Sequence, residues 1–217
     1  PGFFGPMCAY ICYLLQGKVI DDLKLREHGL EIIPLPGSRG GSSGLHPFLD
    51  GTHLKGPGIE SAYDVAEQLR GFSEHDARSY GGWASFWEQA SGILHPYFLT
   101  DPPTLADLMD DVRGTRREEV LEKMLTWSMM DLVHHYFDDD RVRAQFLGIP
   151  EANPSAAGSV MSHAYFDTTH LVRPQDRGIP RGSMGAISAA LESSIKSLGA
   201  EIRTGTAVRD VIVENGQ

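Results

Sequence analysis

Residues 179–216 read IPRGSMGAISAALESSIKSLGAEIRTGTAVRDVIVENG, and their pattern governs how the rest of the chain is read. Gly182 and Gly185 punctuate a tight approach to a helix predicted over 186–198. Gly199 marks its end, because glycine adopts the left-handed conformation that stops a helix without a Cβ penalty. Beyond it, 200–204 and 206–214 alternate apolar and polar residues on either side of Gly205, which predicts two strands. Helix, glycine stop and strands in that order point to an α+β or α/β chain. Asn215-Gly216 then signals a hairpin, since a type I′ turn needs positive φ at both central residues, yet only Gln217 follows. With Pro1 in place of an initial methionine, the expectation is an internal piece of a longer protein, cut inside a hairpin.

Outward from that stretch, the remainder divides by period. Residues 8–23 are helix-compatible, with Gly17 dividing them into two short helices, and LEIIPL at 30–35 is strand-like. The 36–44 segment PGSRGGSSG is a connector without periodicity; no Gly-Lys-Ser/Thr follows it, so it is not a phosphate-binding loop. Residues 45–49 and 52–54 flank Asp50-Gly51, a second hairpin signal. From 59 to 147 the pattern is helical. Ser73 with Asp76 makes a capping start for a helix reaching about Leu99, with a break at Pro96. Further helices are predicted over 104–111, 118–137 and 138–146, with a loop over 148–158 and another helix over 159–170.

Composition excludes several classes of function. The chain has 217 residues and a formal charge of −10, and its arginines at 113, 116, 117, 141 and 143 are interleaved with acids, so it has no basic footprint for nucleic acid. The longest apolar run, 7–15, is far shorter than the ~20 residues that a membrane-spanning helix needs. Cys8 and Cys12 lie four apart, which is neither a redox Cys-x-x-Cys nor a zinc spacing, and they read as buried thiols in a reducing compartment.

The 179–216 stretch resembles the phytoene desaturase-like FAD-dependent oxidoreductases, whose members carry a Gly-Gly-Met-Gly-Ala-like turn, an amphipathic helix, Gly-Ala-x-Ile/Val and a Val-rich strand ending in Asn/Asp-Gly. Other segments match in order. Pro1-Gly2-Phe3 followed by 8–15, Asp22-Leu23-Lys24-Leu25 with His28-Gly29-Leu30-Glu31, and Phe72-Ser73 with Asp76-Ala77 are each similar to steps of that family. Within it, the chain is most similar to the branch of the pyridine nucleotide-disulfide oxidoreductase domain-containing proteins 2. One departure is Ser183, which replaces the second glycine of the Gly-Gly pair. The family's Gly-x-Gly-x-x-Gly fingerprint for the FAD pyrophosphate is absent from this chain.

The resemblance implies a piece of a two-dinucleotide-fold flavoprotein in three parts. Residues 1–29 follow the missing FAD-binding unit. Residues 30–180 form a substrate domain with a mixed β-sheet and a helical insert at about 59–147, and 181–217 return to the FAD-binding domain as glycine turn, helix and strands. It further implies FAD as cofactor, an apolar, isoprenoid or lipid-like substrate and room for peripheral membrane contact, while the acidic charge balance leaves no nucleic-acid partner. Its localisation would be bacterial cytoplasm, or the mitochondrial matrix in a eukaryote. It fixes no oligomeric state.

Site residues follow by motif position. The backbone of Val208 is the expected partner of the FAD adenine, weighed against Val208, Val211 and Val213 as plain strand core. Gly182 and Gly185 would bring backbone close to cofactor, weighed against a tight turn feeding a helix. By resemblance, 5–9 would run near the flavin ring. Trp83, Phe86, Trp87, Ala90, Leu94, Tyr97 and Phe98 recur at helical spacing; in such a family Trp87 and Phe98 would line an apolar tunnel, although such a stripe is ordinarily core. No metal site is expected, because His134 and His135 point to different helix faces despite the acids at 138–140. His95, His163 and His170 read as packing residues, and no catalytic residue is nominated. Two other readings stand beside the desaturase-like one: a non-catalytic binding or regulatory protein with this fold, and a flavin amine oxidase.

Overall fold

Ser73 opens the longest helix as the sequence predicts. In the computed structural model, which describes residues 8–9, 11–34, 45–55, 62–147, 153–167 and 174–213, the Ser73 side chain accepts a hydrogen bond from the Asp76 amide at the start of a helix over Glu74–Leu94. The expected break at Pro96 is a single 3₁₀ turn, His95–Tyr97.

In chain order the described elements are α1 (Gly17–Asp22), β1 (Ile32–Pro34), β2 (Leu45–Pro47), β3 (His53–Lys55), α2 (Ala62–Arg70) and α3 (Glu74–Leu94). They continue with α4 (Leu105–Val112), α5 (Arg117–Thr126), α6 (Met129–Tyr136), α7 (Asp140–Phe146), α8 (Ser159–Asp167), β4 (Gly178–Pro180) and α9 (Gly185–Ser197). The chain is thus α+β, with two small sheets among the described residues, each an antiparallel pair, β1 with β4 and β2 with β3. No described helix is long and apolar enough to cross a membrane.

The larger core belongs to α2–α8. Trp83 on α3 is its centre: its ring lies 5.4 Å from Trp87, 5.7 Å from Tyr136, 5.2 Å from Phe137 and 5.4 Å from Phe146, mostly in edge-on arrangements that aromatic quadrupoles favour. The predicted single helix over 118–137 is two helices. Trp127 turns extended and Ser128 caps α6, its hydroxyl accepting from the Asp131 amide while the Asp131 carboxylate accepts from the Ser128 amide. Competition from this capping box ends α5 and starts a new axis. The freed Met129 amide donates to Ser159 Oγ at 2.8 Å and the Gly158 amide to Trp127 O at 2.9 Å, so α8 is seated on the break.

The β2–β3 hairpin turns through Leu49-Asp50-Gly51, with Gly51 at φ 85°. It is tied to the helices by Arg141, whose guanidinium donates to Asp50 at 2.5 Å and to Asp139 at 2.7 Å and lies 4.8 Å from the Phe72 ring centre. Asp139 is the N-cap of α7, and the guanidinium beside it holds its carboxyl below the usual range.

A second, smaller core gathers Cys12, Ile20, Leu25, Leu30, Ile32 and Ala190. Here the helix expected over 8–16 is not formed: Cys12 exchanges both backbone hydrogen bonds with Gly178, at 2.8 and 2.9 Å. Around Cys12 the chain is not helical because that residue completes an edge beside β4. Gly178 is required there, since a Cβ on it would lie 1.9 Å from Ile33 O. The fully buried Asp176 carboxylate is met by Arg26 Nη2 at 2.6 Å, and α9 docks by Ser194 Oγ, which donates to Leu23 O at 2.6 Å.

After the positive φ of Gly199, the described part of the C-terminal segment is not the strand pair predicted. Residues 200–213 are exposed and lie in no ladder, with Val208 79% and Val211 82% accessible. Alternation alone does not make a strand; a ladder partner does, and no described residue supplies one. The predictions that fall on 1–7, 36–44, 148–152, 168–170 and 214–217 lie outside the described residues.

Two outcomes follow. Gly178→Ala is expected to destabilise the fold by roughly 3 kcal/mol, read as a lower urea midpoint, because rigid backbone and not a flexible side chain blocks the methyl. Burial pushes the Cys12 thiol up, which lowers its thiolate fraction, whereas Cys8, expected to be buried, is exposed. Iodoacetamide at pH 8 followed by mass spectrometry is therefore expected to mark Cys8 first and Cys12 only on unfolding.

Candidate functional site

The turn before α9 shows why its sequence is glycine-rich. Gly182 has φ 86° and Ser183 φ 76°, two consecutive residues in the left-handed region. The backbone at Ser183 therefore favours glycine, and the serine is strained there. Three amides of the turn are already engaged: Ser183 N–H donates to Pro180 O, Ala186 N–H to Ser183 O and Ile187 N–H to Met184 O, at 3.0 to 3.1 Å. A Cβ on Gly185 would meet nothing within 4 Å, so this face of the helix start is open.

Val208 stands apart from that turn. Among the described residues no hydrogen bond joins it to Gly182 or Gly185, and α9, about 20 Å long at 1.5 Å per residue, separates them in the chain. The segment 200–213 leaves the backbone of Val208 solvent-exposed, with no described hydrogen-bond partner.

Trp87 and Phe98 are not in ring contact with each other, but each meets α8. The Trp87 ring is 4.7 Å from His163 at 57°, and Phe98 stacks on Tyr165 at 5.5 Å and 10°. Trp87 is buried and Phe98 half-buried, while Tyr165 is exposed, so the α3–α8 seam runs from core to surface. Two buried polar atoms of α3, Trp87 Nε1 and Ser91 Oγ, have no hydrogen-bond partner among the described residues. Each such buried, unpaired group costs about 1–3 kcal/mol, so two of them one turn apart call for a reason. Ser91 was not singled out in the sequence, where its only signal is its place four positions after Trp87; His163 was read as a packing residue.

A cluster not foreseen in the sequence lies at the start of α3. His75, Asp76 and Asp138 each offer a metal-ligating atom, all within 4.8 Å of one another. His75 Nδ1 is 3.4 Å from Asp76 and 3.3 Å from Asp138. Asp76, fully buried, already accepts the Asp138 amide at 2.8 Å and the Asp139 amide at 3.1 Å. A helix N-terminus carries positive partial charge, which favours carboxylates and opposes a cation, so the cluster is a capping network that joins α3 to α7. The adjacent His134 and His135 take no part in it; His135 packs edge-on to Trp127 at 5.3 Å, and burial lowers its pKa.

Ser183→Gly is expected to raise stability by about 1 kcal/mol, the cost of holding an L-residue in the left-handed region, measured as a higher urea midpoint with an unchanged slope.

Comparison with known proteins finds a distant relative. The chain is 24% identical over 246 residues to pyridine nucleotide-disulfide oxidoreductase domain-containing protein 2 of Rattus norvegicus, covering 99% of this chain and 41% of that protein. No family model matches the chain, and no solved structure matches it.

Proposed function

We propose that the chain is the substrate-side part of an FAD-dependent oxidoreductase of the phytoene desaturase-like group, acting on an apolar, isoprenoid or lipid-like substrate. The observation that carries this reading is the extent of the likeness: a weak identity that nonetheless runs through 99% of the chain, against a relative whose name states an oxidoreductase domain. The chain spans about two fifths of that relative's length, and its missing Gly-x-Gly-x-x-Gly fingerprint agrees with a cofactor held mainly by residues outside these 217.

The residues present fit a secondary role toward FAD. The Val208 N–H and C=O have no described partner and are free to pair with the edge of a flat heteroaromatic ring. Gly182 and Gly185 leave room for close approach, but their turn already uses three of its amides internally, so it is a wall of the site and not a pyrophosphate cradle. The flavin, when bound, supplies the hydride acceptance. The part left to this chain is to hold an apolar molecule and exclude water, for which the α3–α8 seam with Trp87, Phe98 and Tyr165 is the suited surface.

Flavin mixed with the 217-residue chain is expected to elute separately on gel filtration; co-elution at one FAD per chain would show that the pyrophosphate site has been misplaced. In the complete protein, anaerobic addition of a polyisoprenoid alkene is expected to bleach bound FAD. Flavin that stays oxidised with every apolar donor tried would favour a non-catalytic flavoprotein instead.

A further inference from the structure

His46 stands directly opposite Leu54 in the β2–β3 ladder, and directly opposed residues share one face of a sheet. Leu54 is 1% exposed and belongs to the larger core with Val65 and Leu69 of α2, so that face is the one pressed onto the helices. The imidazole therefore points inward from the base of the hairpin, and its Nε2 is sealed from water with no hydrogen-bond partner. A neutral imidazole tolerates this, because its unprotonated nitrogen needs no acceptor. An imidazolium carries N–H on both nitrogens and leaves a buried, charged donor unmet. Burial alone pushes the His46 imidazole down.

Among the described residues no anion is set against it. On the hairpin, His53 and Lys55 lie on the opposite face by alternation, and Asp50 at the tip is engaged by Arg141. On α2, Glu67 is paired with Arg70, and on α7, Asp140 is paired with Arg143 at 2.9 Å. The two ends of the hairpin are fastened differently. The Thr52 hydroxyl and amide, and then Arg141, hold the Asp50 carboxyl below its usual range, so the clasp at the tip survives at a pH that charges an imidazole. The base is fastened to α2 by the burial of Leu54 and by the Lys55 N–H, which donates to Gln68 Oε1 at 2.9 Å.

We propose that His46 is an acid-sensitive latch: its protonation detaches the base of the hairpin from α2 while the Asp50–Arg141 clasp keeps the tip in place. An imidazole in water takes up its proton near pH ~6.5, whereas the docked one resists it. Attachment is therefore complete above that pH, weakens as pH falls through it, and levels off once the docked form is protonated too. The device is local: it uncovers Leu54 and the helix surface beneath it without unfolding the helical half.

Amide hydrogen exchange followed by NMR, corrected for its intrinsic pH dependence, reads the latch at the Lys55 N–H, whose bond to Gln68 exists only in the docked form. Between pH ~7.5 and ~5.5 the open fraction there is expected to rise roughly fivefold, while the amides of α5 keep their protection. His46→Phe, or His46→Gln should the larger ring overfill the site, is expected to abolish that rise. Equal protection of Lys55 at both pH values would overturn the latch. An unchanged rise in both variants would also overturn it, by moving the charge to another group such as His135, whose pKa burial lowers too. Loss of protection over α5 in step with Lys55 would show acid unfolding of the whole helical half, with no separate movement of the hairpin, and would sink the proposal as well.

Discussion

The helical half of the molecule depends on the carboxylate of Asp76. It is fully buried in the first turn of α3 and accepts the amides of Asp138 and Asp139, more than sixty residues further on. A buried carboxylate is tolerable only when it is met by donors, and two backbone N–H groups plus the positive end of a helix meet it here. That one side chain fixes where α6 must stop and α7 begin. The placement of Phe137 and Phe146 against Trp83 follows from it, and so does Arg141's reach to the hairpin. The smaller core has a matching constraint in the buried Asp176 with Arg26.

The helix starts were largely readable from residue chemistry. Ser73 with Asp76 is a capping pair in both sequence and structure, the helix expected from Thr104 starts at a capping box with Asp107, and the proline at 96 breaks a helix where proline should. Ser128 with Asp131 carries the same signal, but it was overshadowed by the apolar periodicity on either side of it, which ran 118–137 together. Two features were not legible because they are decided by distant partners. The apolar residues around Cys12 suit a helix as well as an extended edge, and only Gly178, far along the chain, selects the edge. The alternation over 200–213 is a strand pattern whose ladder partner is not among the described residues.

The same division applies to the site. Glycine spacing pointed to the turn before α9, and the structure explains it by two successive left-handed residues. The aromatic stripe was visible, but Trp87 proved to be both core and seam, a distinction that depends on what α8 places opposite it. Trp87 and Ser91 share a side of α3 by spacing alone; that both their polar atoms are buried and unpaired is a fact of packing that a single sequence does not carry.

The two cores also differ in how far apart their residues lie along the chain, and this sets an order of assembly. Neighbouring helices of the larger core contact one another across short connections, so it can collect as the chain is made. The smaller core joins Arg26 to Asp176 and Leu23 to Ser194, separations of 150 and 171 residues. During synthesis the 12–32 segment therefore waits, its leucines and isoleucines without their final cover, until the whole helical half has been made and α9 has emerged. Closing so long a loop adds only modest entropy beyond that of a shorter one, but it delays the contact, and long-range contacts are the slow ones. The intervening helical half thus works as an insertion in time as well as in space. A chain of this design is most exposed to misassociation in its 12–32 segment, before α9 arrives.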